Sequence, residues 1–327
     1  MLRFQGQMTC ERIVTLLNGV GVVISKRQVV RLLTARLERF RAEDAEVLKA
    51  GLSSASFVTV DDTGARRQGK PDFTTPIGSD TFAVFRTGPS KSRLAFLRNL
   101  LGDAASYGVN EAGLVSMRAC NLSLALIDKL AGHPTRLFAS HEDWTSAGQF
   151  HVGEHALCWV HAERLVHKLI LANDRPRNAV EVARRMIWWF YRALKEYKLA
   201  PSPEKAERLR AQFDRIFNRS RTGSATLDSL LRRLFRLKDD LLRVLDHPDI
   251  PLHTNASEND IRGFVTKRKI SGGTVNDTGR DARDAMLGLA KTCRKLKIPF
   301  FDYLGARLAI PGPGIPDLAT LVRPAPS

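Results

Sequence analysis

From Ala179 to Asp246 the sequence is helical throughout, and this block limits what the chain can become more than any other feature. Val182, Met186, Trp189, Phe190, Leu194 and Tyr197 mark one long helix. Leu209, Phe213, Ile216 and Phe217 mark a second; Leu227, Leu230, Leu231, Leu234, Leu237, Leu241 and Leu245 mark a third. Each set recurs at the spacing of one helix face, so the aromatic stripe is core. Between 164 and 243, twenty Arg and Lys stand against nine Asp and Glu. Most of that charge belongs to solvated faces, and the cationic excess also suits a surface turned to a polyanion.

The period changes at Phe57-Val58-Thr59-Val60-Asp61-Asp62-Thr63-Gly64. A short β-branched run ending in two acids and a turn has the form of a buried strand that delivers a carboxylate. Asp61 or Asp62 capping a turn is the plainer reading of the same residues. Phe82-Ala83-Val84-Phe85 predicts another strand, antiparallel to the first across the Gly- and Pro-containing segment 69–80. Ser90 caps a helix through Leu94, Phe96, Leu97, Leu100 and Leu101. Residues 111–130 have a mostly helical pattern, no good strand lies between Ser146 and His155, and Ala156–Arg164 runs from apolar residues into a helix.

Two helices are predicted over residues 8–39. Thr9 caps the first, which carries Ile13, Val14, Leu16 and Leu17, and Asn18-Gly19-Val20-Gly21 breaks it. Ser25 caps the second, whose apolar face is Val29, Val30, Leu32, Leu33 and Leu37 and whose opposite face carries Lys26, Arg27, Gln28, Arg31 and Arg36. That is the layout of a helix-turn-helix offering cations and an amide to a DNA groove, and equally a common packing unit of α proteins.

A formal charge of +17 draws polyanions, nucleic acid first among them. No run approaches the ~18 apolar residues of a membrane span, and the first residues lack the apolar centre of a signal peptide. The four cysteines form no C-x-x-C pair, which fits a reducing cytoplasm and gives no zinc signature.

The segment Leu252–Gly273 concentrates the remaining chemistry. Asn255 or Ser257 can cap a helix with Glu258 in its first turn, where the dipole favours an ionised carboxylate. Lys267, Arg268 and Lys269 follow, then Ser271-Gly272-Gly273. A carboxylate, a cationic cluster and a Gly pair suit metal-assisted chemistry on a phosphate backbone; a capped surface helix with a basic loop is the alternative. Asp281–Lys297 and a shorter stretch at 300–308 are amphipathic helices, and the Pro/Gly-rich end from Ile310 reads as a disordered tail.

Taken in order, a helix-turn-helix, the strand ending Val60-Asp61-Asp62-Thr63-Gly64-Ala65-Arg66, the segment Cys158-Trp159-Val160-His161-Ala162-Glu163-Arg164, a helical insert and Asn255-Ala256-Ser257-Glu258-Asn259-Asp260-Ile261-Arg262 form a jointly specific series. From about Gln5 to Leu308 the chain resembles bacterial insertion-sequence transposases of the Asp-Asp-Glu type, in the insertion-sequence sixty-six group. The resemblance implies an α/β, mostly α fold: a ribonuclease H-like core with a large helical insertion, preceded by a helix-turn-helix. It implies residues 1–50 as the DNA-binding region, 51–172 as the first part of the core, 173–250 as the insertion, 251–309 as the last part of the core and 310–327 as the tail. It also implies that this chain begins inside the family's N-terminal region.

In that family three carboxylates hold two Mg²⁺ (or Mn²⁺) ions for phosphodiester cleavage and strand transfer at element ends. By motif the first carboxylate and metal ligand falls on Asp61, with Asp62 adjacent, and the last on Glu258. The second has no counterpart where Trp144-Thr145-Ser146 precede Ala147-Gly148-Gln149-Phe150; roughly forty residues are absent, a gap that ordinary loop lengths do not explain. Asp143, or Glu142, is the substitute if Leu137-Phe138-Ala139 forms a strand. The resemblance further implies double-stranded DNA as partner, a homo-oligomer on DNA, no membrane, and a bacterial cytoplasmic, nucleoid-associated location. The DNA contacts would be Lys26, Arg27, Gln28, Arg31, Lys267, Arg268 and Lys269. The alternative is a catalytically dead DNA-binding remnant, or a product that does not fold.

Overall fold

The computed structural model describes residues 1–91, 93–101, 105–109, 115–119, 136–139, 155–169, 177–218, 222–253 and 255–323. Helices predominate over strands, giving a mixed α/β protein. The chain divides into two compact units, one built from Met1–Thr135 and Asn255–Ser327, the other from Arg136–Thr254.

The first unit is organised on an antiparallel sheet whose middle strand is β3. Its strands are β1 (Phe57–Val60), β2 (Thr63–Arg67), β3 (Lys70–Gly78) and β4 (Ala83–Gly88). β4 pairs with β3 from Phe73↔Gly88 to Gly78↔Ala83. β1 pairs with β3 at Thr59↔Gly78 and Val60↔Ile77, and β2 at Thr63↔Thr74 to Arg67↔Lys70. These last two pairings share one register, so β1 and β2 are a single line of chain interrupted only at Asp61 and Asp62. Opposite the interruption stand Pro76 and Thr75. Proline has no N–H for a ladder, so the strand is left open at that point.

The sheet corrects one expectation. The segment 69–80 is not a connection between two paired strands; it holds the strand that lies between them. Pro71 and Pro76 hid it, because proline argues against a central strand. Gln68 and Gly69, both at positive φ (52° and 77°), form the two-residue turn joining β2 to β3.

The described helices of this part of the chain are α1 (Cys10–Gly19), α2 (Lys26–Thr34), α3 (Leu37–Ser54) and α4 (Arg93–Leu101), and of these α3 packs on β3 and β4. Thr9 and Ser25 cap α1 and α2 as expected, Thr9 accepting from Arg12 N–H and Ser25 forming a reciprocal capping box with Gln28. The predicted apolar face of α2 is narrower than expected. Val29 is buried, but Val30 and Leu32 are 43% and 64% exposed, and Arg36, at φ 56°, separates Leu37 into α3. Val30, next to the inward Val29, turns away from the packed side, and Leu32, three residues on from Val29, lies at the uncovered end of a short face.

Residues 115–119 were expected to be helical; instead β5 (Ala105–Val109) and β6 (Val115–Ala119) pair antiparallel. In Val115-Ser116-Met117-Arg118 apolar and polar residues alternate, and that short period-two stretch was masked by its helix-like flanks.

The second unit contains β7 (Arg136–Ala139) and β8 (His155–Leu157), which pair in parallel. Its helices are α5 (Trp159–Lys168), α6 (Arg177–Leu199), α7 (Pro203–Phe217), α8 (Ala225–Arg236) and α9 (Lys238–Leu241). The first two helices read from the sequence block are present as α6 and α7; the third, read through to Leu245, ends as α8 at Arg236, with Leu237 as its C-cap, Leu241 in α9 and Leu245 in a short turn beyond. Helices α6 and α7 close on Trp159, whose ring lies 5.1 Å from Phe190 and 6.1 Å from both Phe213 and Phe217.

The chain then returns to the first unit as α10 (Asn255–Ser271), α11 (Asp277–Lys295), α12 (Phe300–Arg307) and α13 (Leu318–Val322). α11 lies against β4 and α3. Thr292 Oγ1 donates to Ala83 C=O and accepts from its N–H, both at 3.1 Å, closing the end of that edge strand. Gly288 allows the approach: a Cβ there would stand 2.6 Å from Asp44 Oδ1.

The expected disordered tail is also corrected. Residues 310–323 are ordered, with Leu318, Ala319 and Val322 buried and α13 packed on α3. The Pro/Gly run that suggested disorder is a connection, and the apolar residues that dock it lie beyond.

Asp44 of α3 is buried against β4, where Arg86 donates to its Oδ2 at 2.5 Å. Burial raises its pKa from 3.8 to about 6, with Arg86 opposing and Asp284 and Glu43 adding repulsion. A raised folded-state value means the unfolded chain ionises first as pH rises. Stability conferred by Asp44 is therefore full below about pH 4 and lost as pH rises toward 6. Thermal unfolding of wild type and Asp44→Asn in parallel should show the difference between them shift against wild type by about 1–3 kcal/mol from pH 4 to 6.5. A difference constant across that range would refute this account.

Candidate functional site

Asp61 and Asp62 occupy the break between β1 and β2, both half-buried. Asp62 N–H donates to Asp61 Oδ1 at 2.8 Å, and Thr75 Oγ1 donates to Asp62 Oδ1 at 2.5 Å. The missing proline N–H in the neighbouring strand and the two acids thus coincide.

Glu258 lies in the first turn of α10, half-buried. The helix starts at Asn255, so Ser257 falls inside it and does not cap it from outside. α10 packs against β1, β2 and β3. Phe264 is buried against Phe85, with ring centroids 6.0 Å apart, and the Arg283 guanidinium stands 4.5 Å from the Phe264 ring centre. Near the start of the helix, Asp260 pairs with Lys295 at 2.8 Å and Lys291 at 3.4 Å, while Lys295 donates to Ser79 C=O at the end of β3. Toward its other end, Arg268 donates to Gly64 C=O in β2.

The glycines after α10 have conformational reasons of their own. Gly272, at φ 68°, turns the chain and donates to Arg268 C=O at 2.8 Å. At Gly273 a Cβ would stand 2.4 Å from Arg66 C=O, because Thr274 bridges the outer edge of β2. The pair serves this join, and nothing in its geometry requires a phosphate.

The basic cluster does not act as one surface. Lys269 is exposed, but Lys267 is only 2% exposed and its Nζ donates to Arg3 C=O (2.7 Å) and Met8 C=O (3.1 Å). Burial, with Arg3 nearby, lowers its pKa to about 7. Arg3 in turn reaches Ser271 Oγ at 3.0 Å. Lys267 therefore fastens residues 3–8 to α10 and is not presented to a ligand. No local signal in the sequence marks it, since its partners are backbone carbonyls more than 250 residues away.

On α2, Lys26, Arg27, Gln28 and Arg31 are all exposed. Lys26 pairs with Glu11 at 2.5 Å and the Gln28 carbonyl accepts from Ser25, which leaves Arg27 and Arg31 with no ion pair among the described residues. Asp143 and Glu142 lie outside the described residues. Leu137–Ala139 does form a strand, β7.

Among the described residues no three His, Cys, Asp or Glu side chains converge as metal ligands would. The oxygen chemistry of Asp61, Asp62 and Glu258 suits a hard divalent cation, but the described set does not complete a site. No helix among the described residues is long and apolar enough to cross a membrane.

An uncharacterized protein of Sinorhizobium fredii (strain NBRC 101917 / NGR234), y4jO, is 46% identical over 318 residues, a match taking in 84% of this chain and 99% of the relative. The family model described as transposase IS66 family matches residues 138–282. The chain belongs to the IS66 transposase family. Membership in the IS66 family makes DNA the implied partner. The family match begins within β7 and takes in the Cys158–Arg164 segment, the helical block and α10 with Glu258, while α1, α2 and the strand line carrying Asp61 precede it. The match to the S. fredii relative covers 318 residues but only about 275 of this 327-residue chain, so roughly forty of its positions have no residue here.

Proposed function

We propose that this IS66-family chain acts on DNA phosphodiesters at insertion-element ends through Asp61 and Glu258, on a ribonuclease H-like core with α1–α2 as its DNA-reading helices. The observation that carries the reading is the packing of α10 beside the strand line that Asp61 interrupts. Two ties set their relative direction, Asp260 through Lys295 to Ser79 at one end and Arg268 to Gly64 at the other. Glu258 precedes Arg268 by ten residues, ~15 Å of helix, and Asp61 precedes Gly64 by three, ~10 Å of strand. By this reckoning the two acids differ by about 5 Å in depth along the sheet, which supports a shared site.

An antiparallel set of strands carrying the first acid, followed in the chain by a parallel pair and a helical insert, is in keeping with the implied core. Mg²⁺ or Mn²⁺ would supply Lewis-acid stabilisation of charge on the scissile phosphate. Asp61 and Glu258 would hold the ion, with Asp62 oriented by Thr75 beside them. A third ligand is needed, and Glu142 and Asp143 are the acids nearest in the chain to β7. Assembly as a homo-oligomer on DNA, in the nucleoid of a bacterial cell, belongs to this reading.

A DNA-binding remnant without catalysis is the second reading, favoured by the roughly forty unmatched positions and the incomplete acid set. Incubation of the full chain with element-end DNA and Mg²⁺ decides between them. Strand cleavage and joining should appear and vanish in Asp61→Ala and in Glu258→Gln. Binding without any cleavage would leave the remnant standing, and cleavage that survives Asp61→Ala would remove both residues' assigned roles.

A further inference from the structure

A cleft of about 1000 Å³ runs along the side of α10 away from Arg268, bounded by α11, the start of α12 and the N-terminal segment at Phe4–Gln7. Arg262, Lys291, Arg294, Lys295 and Lys297 line it, and Asp260 is the one acid among its lining residues. Asp260 is already shared between Lys291 and Lys295. Arg262, Arg294 and Lys297 are exposed and make no ion pair among the described residues. Three cations thus face one concavity whose single lining acid is already engaged by Lys291 and Lys295, an excess of positive charge whose mutual repulsion a polyanion would relieve.

Position links this cleft to the candidate acids. Arg262 is four residues after Glu258, so the two share a face of α10. Asn259, Gly263 and Thr266 continue the cleft wall on the adjoining face. Aromatic rings lie behind the wall, but Phe4, Phe85, Phe264 and Phe300 are all buried. They cannot serve as platforms for unstacked bases, which is how single strands are held. Charge without exposed aromatics fits sequence-independent contact with the backbone of a duplex.

We infer that Arg262, Arg294 and Lys297 form a phosphate track that seats the backbone of double-stranded DNA beside Glu258. The inference rests on the DNA reading above but not on catalysis: an inactive remnant would keep the track. It places the main duplex contact of this half of the chain on α10–α11, with Lys267 acting from inside to hold the N-terminal wall in place.

The test is salt-dependent binding of the full chain to a labelled duplex of about thirty base pairs, where each phosphate contact contributes ~0.9 to the slope of log K against log salt. Arg262→Gln, Arg294→Gln and Lys297→Asn combined should lower that slope by about 2–3 relative to wild type. The charge-conserving set Arg262→Lys, Arg294→Lys and Lys297→Arg should keep it, separating charge from folding. An unchanged slope in the neutralised variant overturns the track alone. A wild-type chain with no affinity for the duplex overturns the track and the DNA reading together. A clear preference for oligo-dT, lost in the neutralised variant, overturns the duplex assignment.

Discussion

Replacing Glu43 by alanine should destabilise the first unit by about 3–5 kcal/mol, the range for breaking one side of a buried ion pair. Glu43 on α3 accepts from Arg307 Nε (2.8 Å) and Nη2 (2.7 Å), from Tyr303 Oη (2.8 Å) and from Leu318 N–H (3.1 Å). Arg307 is 4% exposed and also donates to Ile315 and Pro316 carbonyls. Truncation would leave a buried guanidinium with only the exposed Asp317 carboxylate, 3.5 Å away, as counter-charge, and would free the N–H that starts α13. Burial works against the ionised acid, but Arg307, Leu318 and Tyr303 together hold its pKa below the ordinary value. A depressed folded-state pKa confers stability above the ordinary carboxylate range that is lost as pH falls through the folded-state value. Denaturant titration should therefore show the Glu43→Ala penalty in full at pH 7 and smaller toward pH 3. Replacing both partners by apolar residues (Glu43→Leu with Arg307→Met) should cost clearly less than the single change, because no orphan charge remains. Equal penalties for the two would refute the explanation.

The other large effect is expected in the second unit. Trp159 is 1% exposed among Phe190, Phe213 and Phe217, and its Nε1–H donates to Leu241 C=O at 2.9 Å. Trp159→Ala should cost about 3–5 kcal/mol through the cavity left behind. Trp159→Phe should keep most ring contact and lose about 1–3 kcal/mol through the unsatisfied Leu241 carbonyl. Hydrogen exchange is the direct measurement: in Trp159→Ala, protection should fall across α5–α9 more than in α3 and α11. Uniform loss across the chain would mean that the two units do not unfold as separate cooperative bodies.

How far the fold could be read in advance follows from the range of the forces involved. Caps at Thr9 and Ser25 are set by neighbours within a few residues, and both are where the pattern put them. The helices α6 to α8 carry a period long enough to be unambiguous. β3 was hidden because Pro76 is tolerated only opposite a gap in the partner strand, which single-chain periodicity cannot display. The end of the chain was misread for a similar reason, since Leu318 and Val322 are ordered by α3, far away in sequence.

The site was legible as residue types and spacing at Asp61 and Glu258, which family-specific series made recognisable. What the spacing could not give was the direction of long cationic side chains. Lys267 and Lys269 look alike in sequence, and only packing separates a buried tie from an exposed charge. The basic cleft escaped notice because Arg262, Arg294 and Lys297 are spread over more than thirty residues and meet only when α10 and α11 lie side by side.

The first unit is assembled from both flanks of the chain, whereas the second is one unbroken stretch. During synthesis the opening residues must therefore wait for about 120 more before their α10 and α11 partners emerge, roughly 6–24 s at ordinary bacterial elongation rates. For that interval β4 lacks the helix that closes its edge, and Glu43 of α3 lacks Arg307. The helical block meanwhile has all its own parts and can collapse on the ribosome. A nascent protein of this build is most exposed to mispairing just before its last quarter is made.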